Sequence, residues 1–345
     1  MIGARDRFKG AWWGAFVADA LAMPTHGYPK RELVELDYGF VSEMMQPREP
    51  YRDFVLASHQ IPQLPPEFDY VGKRRDDWKR ITTHPHRNLK AGENTLPLVL
   101  ALHMAASMAE SGGFSIDSWM ERYRAVMVSD GGHNDTFIPS IHRRYFENLA
   151  KKTDPEANGC PDAHISDIMI FMPIILAAYA DPKKAQGDLI RAVKKFTIGE
   201  GTFSTAIFIM EIMCYIMGGL KLEDILFGKM NPDRHFALAY PYRRWIKAAN
   251  DDETMADQIG RTAELDKSVV LSLYLALKYG SDYESAQIAN VNIGGETTGR
   301  GAFIGMLIAG QYGSQTIPAR WGDKMVYSGE IAACVHSMSG MVFKQ

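Results

Sequence analysis

The sequence predicts an all-α protein, and three observations carry that prediction. Apolar residues recur at intervals of three and four along most of the chain, whereas alternation at period two is scarce. The longest apolar runs, Ile168 to Ala180 and Ile212 to Leu220, are shorter than the roughly 20 residues a membrane-spanning helix needs, so they read as buried core helices.

The first element is an amphipathic helix over about 5–23, with Phe8, Ala11, Trp12, Ala15, Phe16 and Ala20 on one stripe. Gly10 and Gly14 lie on a neighbouring stripe that permits close backbone packing. Asp19 sits inside that apolar helix, and a carboxylate there reads as a structural group satisfying donors of a neighbouring element. Between about 41 and 90 the periodicity lapses and six of the 17 prolines gather, which predicts a long irregular insertion, either a lid or plain decoration. Regularity returns at Gly92-Glu-Asn-Thr-Leu-Pro, where Asn94 can cap and Pro97 is tolerated in a first turn, followed by a helix to about Glu110. Further helices are predicted over 117–128, 138–150, 165–180, 185–196, 203–217, 255–260 and 267–279. After Asn290-Val-Asn-Ile-Gly-Gly-Glu-Thr-Thr-Gly-Arg comes a last helix whose face Gly301, Gly305, Ala309, Gly313 is small at every fourth position.

The bulk numbers fit a packed chain of 345 residues, 46% hydrophobic and 23% charged. A net charge of −3 supplies no basic field for nucleic acid, so no specific nucleic-acid binding is expected. Cys160, Cys214 and Cys334 form no CxxC pair, and no signal-peptide pattern opens the chain. A cytoplasmic protein with no membrane partner is the expectation.

Three blocks, in order, resemble the ADP-ribosylglycohydrolase family, to which dinitrogenase-reductase activating glycohydrolase also belongs. Residues 10–24, GAWWGAFVADALAMP, look like the family's opening GxxxGxAxGDAxGxP helix. Gly92-Glu93-Asn94-Thr95 stands where the family has Thr-Asp-Asp-Thr, and Val291-Asn-Ile-Gly-Gly-Glu-Thr-Thr is similar to its VNxGGDTDT. The blocks span nearly the whole chain, so a single domain over 1–345, interrupted by the insertion, is expected. The resemblance implies a compact multi-helix orthogonal bundle and a hydrolase that cleaves a glycosidic bond to an ADP-ribose-type group.

It also implies two magnesium or manganese ions held by carboxylates from distant helix starts, a donor chemistry suited to hard cations. On this chain the corresponding ligands are Glu93, Asn94, Glu296, Thr298 and His26. Five carboxylates become two, Glu93 and Glu296, so two dications would be poorly neutralised. One ion, a different ion with an imidazole ligand, or no ion at all are the alternatives, and the last makes the chain a non-catalytic binding or structural protein on the same scaffold. Glu93, Asp135 and Glu296 are the candidate catalytic carboxylates, with His133, Asn134, Gly294, Gly295 and Thr297 as candidate substrate contacts.

Three further readings stay open. His84 and His86 are either solvent-facing histidines on a Pro-containing loop or imidazoles that enter the cleft. Asp135 or Thr136 either caps the helix that follows or, with His133, reaches the substrate. Gly294 and Gly295 either make a tight turn or bring backbone N–H groups to a diphosphate at the start of the last helix.

Overall fold

The computed structural model describes residues 2–49, 62–79, 83–161 and 163–343. The α-helices of five residues or more are numbered here along the chain. They are α1 Ala4–Ala22, α2 Arg31–Tyr38, α3 Leu96–Glu110, α4 Ile116–Val128, α5 Ser140–Ala150, α6 Ile165–Met169, α7 Met172–Ala177 and α8 Pro182–Lys194. The rest are α9 Glu200–Met217, α10 Tyr242–Lys247, α11 Asp252–Ile259, α12 Leu265–Tyr279, α13 Tyr283–Asn292, α14 Thr297–Tyr312 and α15 Ser328–Val342. The described residues contain no strand, only two isolated bridges, Cys160 with Thr197 and His164 with Glu264. The fold is all-α.

At its centre α1 and α14 lie against each other, and both are buried over most of their length. The small-residue stripes seen in the sequence are what lets them meet. A Cβ on Gly14 would stand 2.3 Å from Gly305 O, and one on Gly10 would stand 2.0 Å from Ala309 O, so only hydrogen fits at either place. Gly313, with φ of 87°, ends α14 rather than extending its face. Trp12 and Phe16 stack at 5.9 Å on the other side of α1, inside a core that runs from Phe8 to Val342.

Three details differ from the sequence expectation. The stretch 165–180 is two helices, because Pro173 has no N–H to donate and sits instead in the first turn of α7. Thr95, not Asn94, is the N-cap residue of α3; the Asn94 side chain turns inward and donates to Phe16 O at 2.8 Å and Asp19 Oδ2 at 2.9 Å. Four helices had no clear stripe in the sequence: α2, α10, α13 and α15. Of the 41–90 insertion, residues 50–61 and 80–82 lie outside the described residues, and the described remainder holds short turns and the one-turn helix Arg75–Trp78. α9 is long and apolar enough to cross a membrane by length and composition, yet 56% of it is buried in the molecule, as a core helix is.

Candidate functional site

Four segments converge where α1 ends. His26 follows α1 after a single 3-10 turn, His86 comes from the insertion, Asp135 from the loop between α4 and α5, and Glu296 is the N-cap residue of α14. All four are buried. They are hydrogen-bonded end to end: Glu296 Oε2 to His26 Nε2 at 2.7 Å, His26 Nδ1 to His86 Nε2 at 2.5 Å, and His86 Nδ1 to Asp135 Oδ1 at 2.7 Å.

The outer oxygens of the chain are also committed. Asp135 Oδ2 accepts from Leu96 N at 2.8 Å and its Oδ1 from Phe137 N at 3.0 Å. The carboxylate therefore sits at the N-terminus of α3, where the helix dipole favours negative charge, and does not cap the helix that follows it in sequence. Glu296 Oε1 accepts from Gly299 N at 3.3 Å, and the Ser166 side chain also hydrogen-bonds Glu296. Burial alone would push both carboxyls up; His26 outweighs it and holds Glu296 near a pKa of about 2, and His86 likewise keeps Asp135 below its usual range. Burial favours neutral His26, but the Glu296 carboxylate prevails and raises its pKa.

His84 and His86 thus enter the cleft instead of facing solvent. His84 holds His86 in place: its Nδ1 accepts from His86 N and its Nε2 donates to Pro24 O, both at 3.0 Å. Burial, then neighbouring His86, lowers its pKa to about 3. Phe137 sets its edge or face against both chain imidazoles, with centroids 5.7 Å from His26 and 5.9 Å from His86. The described part of the insertion lies over the site, with Trp78 Nε1 donating to Thr136 O and Arg74 to His133 O.

Glu93 is held apart from this chain. Its Oε2 accepts from Lys90 N at 2.9 Å, and its Oε1 from Asn134 Nδ2 at 2.6 Å and Tyr327 Oη at 3.2 Å. Asp19 has the structural role read from the sequence, accepting from Thr95 N, Thr95 Oγ1 and Asn94. Burial raises its pKa against those bonds.

The five expected metal ligands do not assemble into one donor set. Among the described residues no three His, Cys, Asp or Glu side chains are grouped to hold an ion. The carboxylates Glu93 and Glu296 share no partner, and both nitrogens of His26 are engaged. Thr298 is buried in the first turn of α14, and Asn94 Oδ1 is left as one neutral oxygen without a hydrogen-bond partner among the described residues. A hard dication needs about six oxygens. The residues present do not fit a metal pair, and no step is drawn through one.

The expected diphosphate contacts are likewise taken by the fold. Gly294 and Gly295 have φ of 70° and 78°, and Gly295 N donates to Tyr28 O at 2.6 Å. A Cβ on Gly295 would lie 1.8 Å from Arg261 O, so the pair is the tight turn and not a nest aimed outward. Thr297 Oγ1 donates to Ala22 O at 2.9 Å. His133 and exposed Asn134 border a separate cavity of about 260 Å³. A larger cavity of about 560 Å³ is lined by Ala163, His164, Gly199, Thr202, Phe236 and Glu264 among others. His164 in its wall acts electrostatically on Glu296, and Ser166, two residues further on, hydrogen-bonds it. Neither residue stands out chemically in the sequence, although the His164-Ile-Ser-Asp167 capping box that places them is a local signal.

The family model described as ADP-ribosylglycohydrolase matches residues 2–343. A solved structure titled "ADP-ribosylglycohydrolase-related protein complex" is similar at 22% identity with a TM-score of 0.65, over 99% of this chain and 100% of that one, a likeness that speaks for the fold. No curated protein matches the sequence.

Proposed function

The chain belongs to the ADP-ribosylglycohydrolase family, and from that premise we propose that it hydrolyses a glycosidic bond to an ADP-ribose-type group, with Glu296 as the acting carboxylate. The family is one of glycohydrolases that act on ADP-ribosylated substrates and generally use divalent metals. The observation that carries the reading is the position of Glu296: buried, its pKa held low by His26, and hydrogen-bonded by Ser166, which lies two residues from His164 in the lining of the 560 Å³ cavity. A fixed carboxylate there stabilises by its charge the oxocarbenium-like centre that develops as the bond breaks. His26 orients Glu296, and Asp135 anchors the far end of the chain. Glu93 supports the site by fixing Asn134 and Tyr327 rather than by touching substrate. The chain forms one domain, with the described part of the insertion, through Arg74 and Trp78, packed on the loop that carries Asp135.

The test is to incubate the protein with ADP-ribosylated arginine, serine and DNA and to measure released ADP-ribose. Release that falls at least about 100-fold in Glu296→Gln, with folding intact, supports the reading. No release from any of the three acceptors sinks it.

A second reading, a non-catalytic protein on the same scaffold, is favoured by one observation: the chain residues bond one another and are shielded from solvent. ADP-ribose binding measured by calorimetry, without turnover of any acceptor, is its signature.

A further inference from the structure

We propose that His26 and His86, hydrogen-bonded to each other between Glu296 and Asp135, close on one another so tightly that no divalent cation enters between them, and that the cluster is assembled without metal. The inference is independent of hydrolysis and rests on the hydrogen-bonded chain alone.

The proton count follows from geometry. A carboxylate accepts and does not donate, so His26 Nε2 and His86 Nδ1 carry the protons of the two 2.7 Å bonds to Glu296 and Asp135. That leaves His26 Nδ1 facing His86 Nε2 at 2.5 Å. Two lone pairs at that distance repel, and two N–H groups collide. One proton between them satisfies both rings, so the pair of imidazoles carries three protons and one positive charge. With the two carboxylates the cluster totals −1, and the shared proton does locally what a cation does elsewhere: it keeps two buried acids from facing each other uncompensated.

The same distance argues against a bridging ion. A metal bound by two imidazoles needs about 2.0–2.1 Å to each nitrogen, which in tetrahedral geometry sets the nitrogens about 3.3 Å apart. The gap between these rings is 2.5 Å. It fits a proton and excludes a metal unless the chain is pulled open. The surroundings are fitted to the closed form. His84 bonds His86 at the main chain, and Phe137 packs on both rings. Two of the positions where family members carry threonine are glycine here, with no room for more. A Cβ on Gly92 would be 1.9 Å from Lys324 O, and one on Gly299 would be 2.4 Å from Ser166 N.

The full chain, purified without chelator, tests this in two ways. Elemental analysis is expected to find far less than one magnesium, manganese, zinc or iron per chain, and melting is expected to be the same in EDTA, millimolar Mg²⁺ or millimolar Mn²⁺. An ion bound at a hundredfold excess over its Kd would raise the melting temperature by several degrees, so a shift of that size, or stoichiometric metal removed by EDTA, overturns the proposal. Proton NMR of ¹⁵N-histidine-labelled protein is expected to show a nitrogen-bound imidazole resonance far downfield, lost in His86→Gln. If that variant does not fold, two-bond correlations within the labelled wild-type rings assign the resonance to His26 and His86. Its absence from the folded wild-type protein overturns the shared proton.

Discussion

Arg300 is the residue whose chemistry depends most on its place in the fold. It is fully buried in the first turns of α14, and no carboxylate among the described residues is in salt-bridge contact with it. Its guanidinium donates from Nε to Asn290 Oδ1 at 2.6 Å, from Nη2 to Gly294 O at 2.7 Å and Asn290 O at 3.3 Å, and from Nη1 to Arg261 O at 3.3 Å. Those bonds brace the turn that aims Glu296. Burial pushes its pKa down to about 9, so it stays charged at neutral pH. Arg300→Met removes the burial cost but strands three acceptors, since Arg261 O keeps its bond from Glu296 N; each is worth about 1–3 kcal/mol, and the stranded acceptors win. A loss of about 3 kcal/mol in urea unfolding is expected, and a variant as stable as the parent would show that the turn needs no brace. The residue was visible in the sequence as the end of the Gly-Gly-Glu-Thr-Thr-Gly-Arg motif, but its role was not, because three of its four acceptors are main-chain carbonyls, which leave no trace in composition. The same limit applies to His86. Its position before the second motif was legible, while its place between His26 and Asp135 depends on a tertiary contact that no local pattern encodes.

The contact of α1 with α14 was the most legible part of the fold, since small residues spaced by four on two helices announce a close approach. What the sequence could not say is that the two stripes meet each other, or that exposed α15, with only Ile331, Met338 and Val342 buried, is a helix at all. The contact yields a sharp comparison between two glycines. A Cβ on Gly14 meets backbone that cannot move aside, so Gly14→Ala is expected to cost about 3 kcal/mol or to prevent folding. Gly187, in the middle of α8, has nothing within 4 Å of an added Cβ. Gly187→Ala is therefore expected to gain about 0.5–1 kcal/mol from helix propensity and reduced freedom of the unfolded chain. Thermal unfolding of the two variants separates close packing from intrinsic glycine effects. Equal shifts in the same direction would contradict the helix contact.

Across the whole molecule, burial of neutral histidine makes stability depend on acid. His84, His133 and His142 come from three different segments, and burial lowers the pKa of each to about 3, helped at His84 by His86 and at His133 by Arg74. Each ring titrates near its ordinary value of about 6.5 once unfolded, so between those values the unfolded chain binds more protons than the folded one. Stability contributed by the neutral rings is present above about pH 6.5 and is lost as pH falls towards 3. From pH 7 to pH 5 the loss is about 2 kcal/mol per histidine. Asp167 acts in the opposite sense, because burial raises its pKa to about 6 and it takes up a proton in the folded state, returning about 1 kcal/mol over the same interval. Three histidines outweigh one aspartate, and net destabilisation on acidification follows. His142 is the cleanest position to test, since its Nδ1 bonds Tyr123 Oη at 2.9 Å and the ring stands away from the Glu296 chain. Urea unfolding at pH 7 and pH 5 is expected to show a fall of several kcal/mol for the parent chain and a fall smaller by about 2 kcal/mol for His142→Phe. A parent protein equally stable at the two pH values would mean that these rings are not held neutral, and that the interior around the site is wetter than its packing indicates.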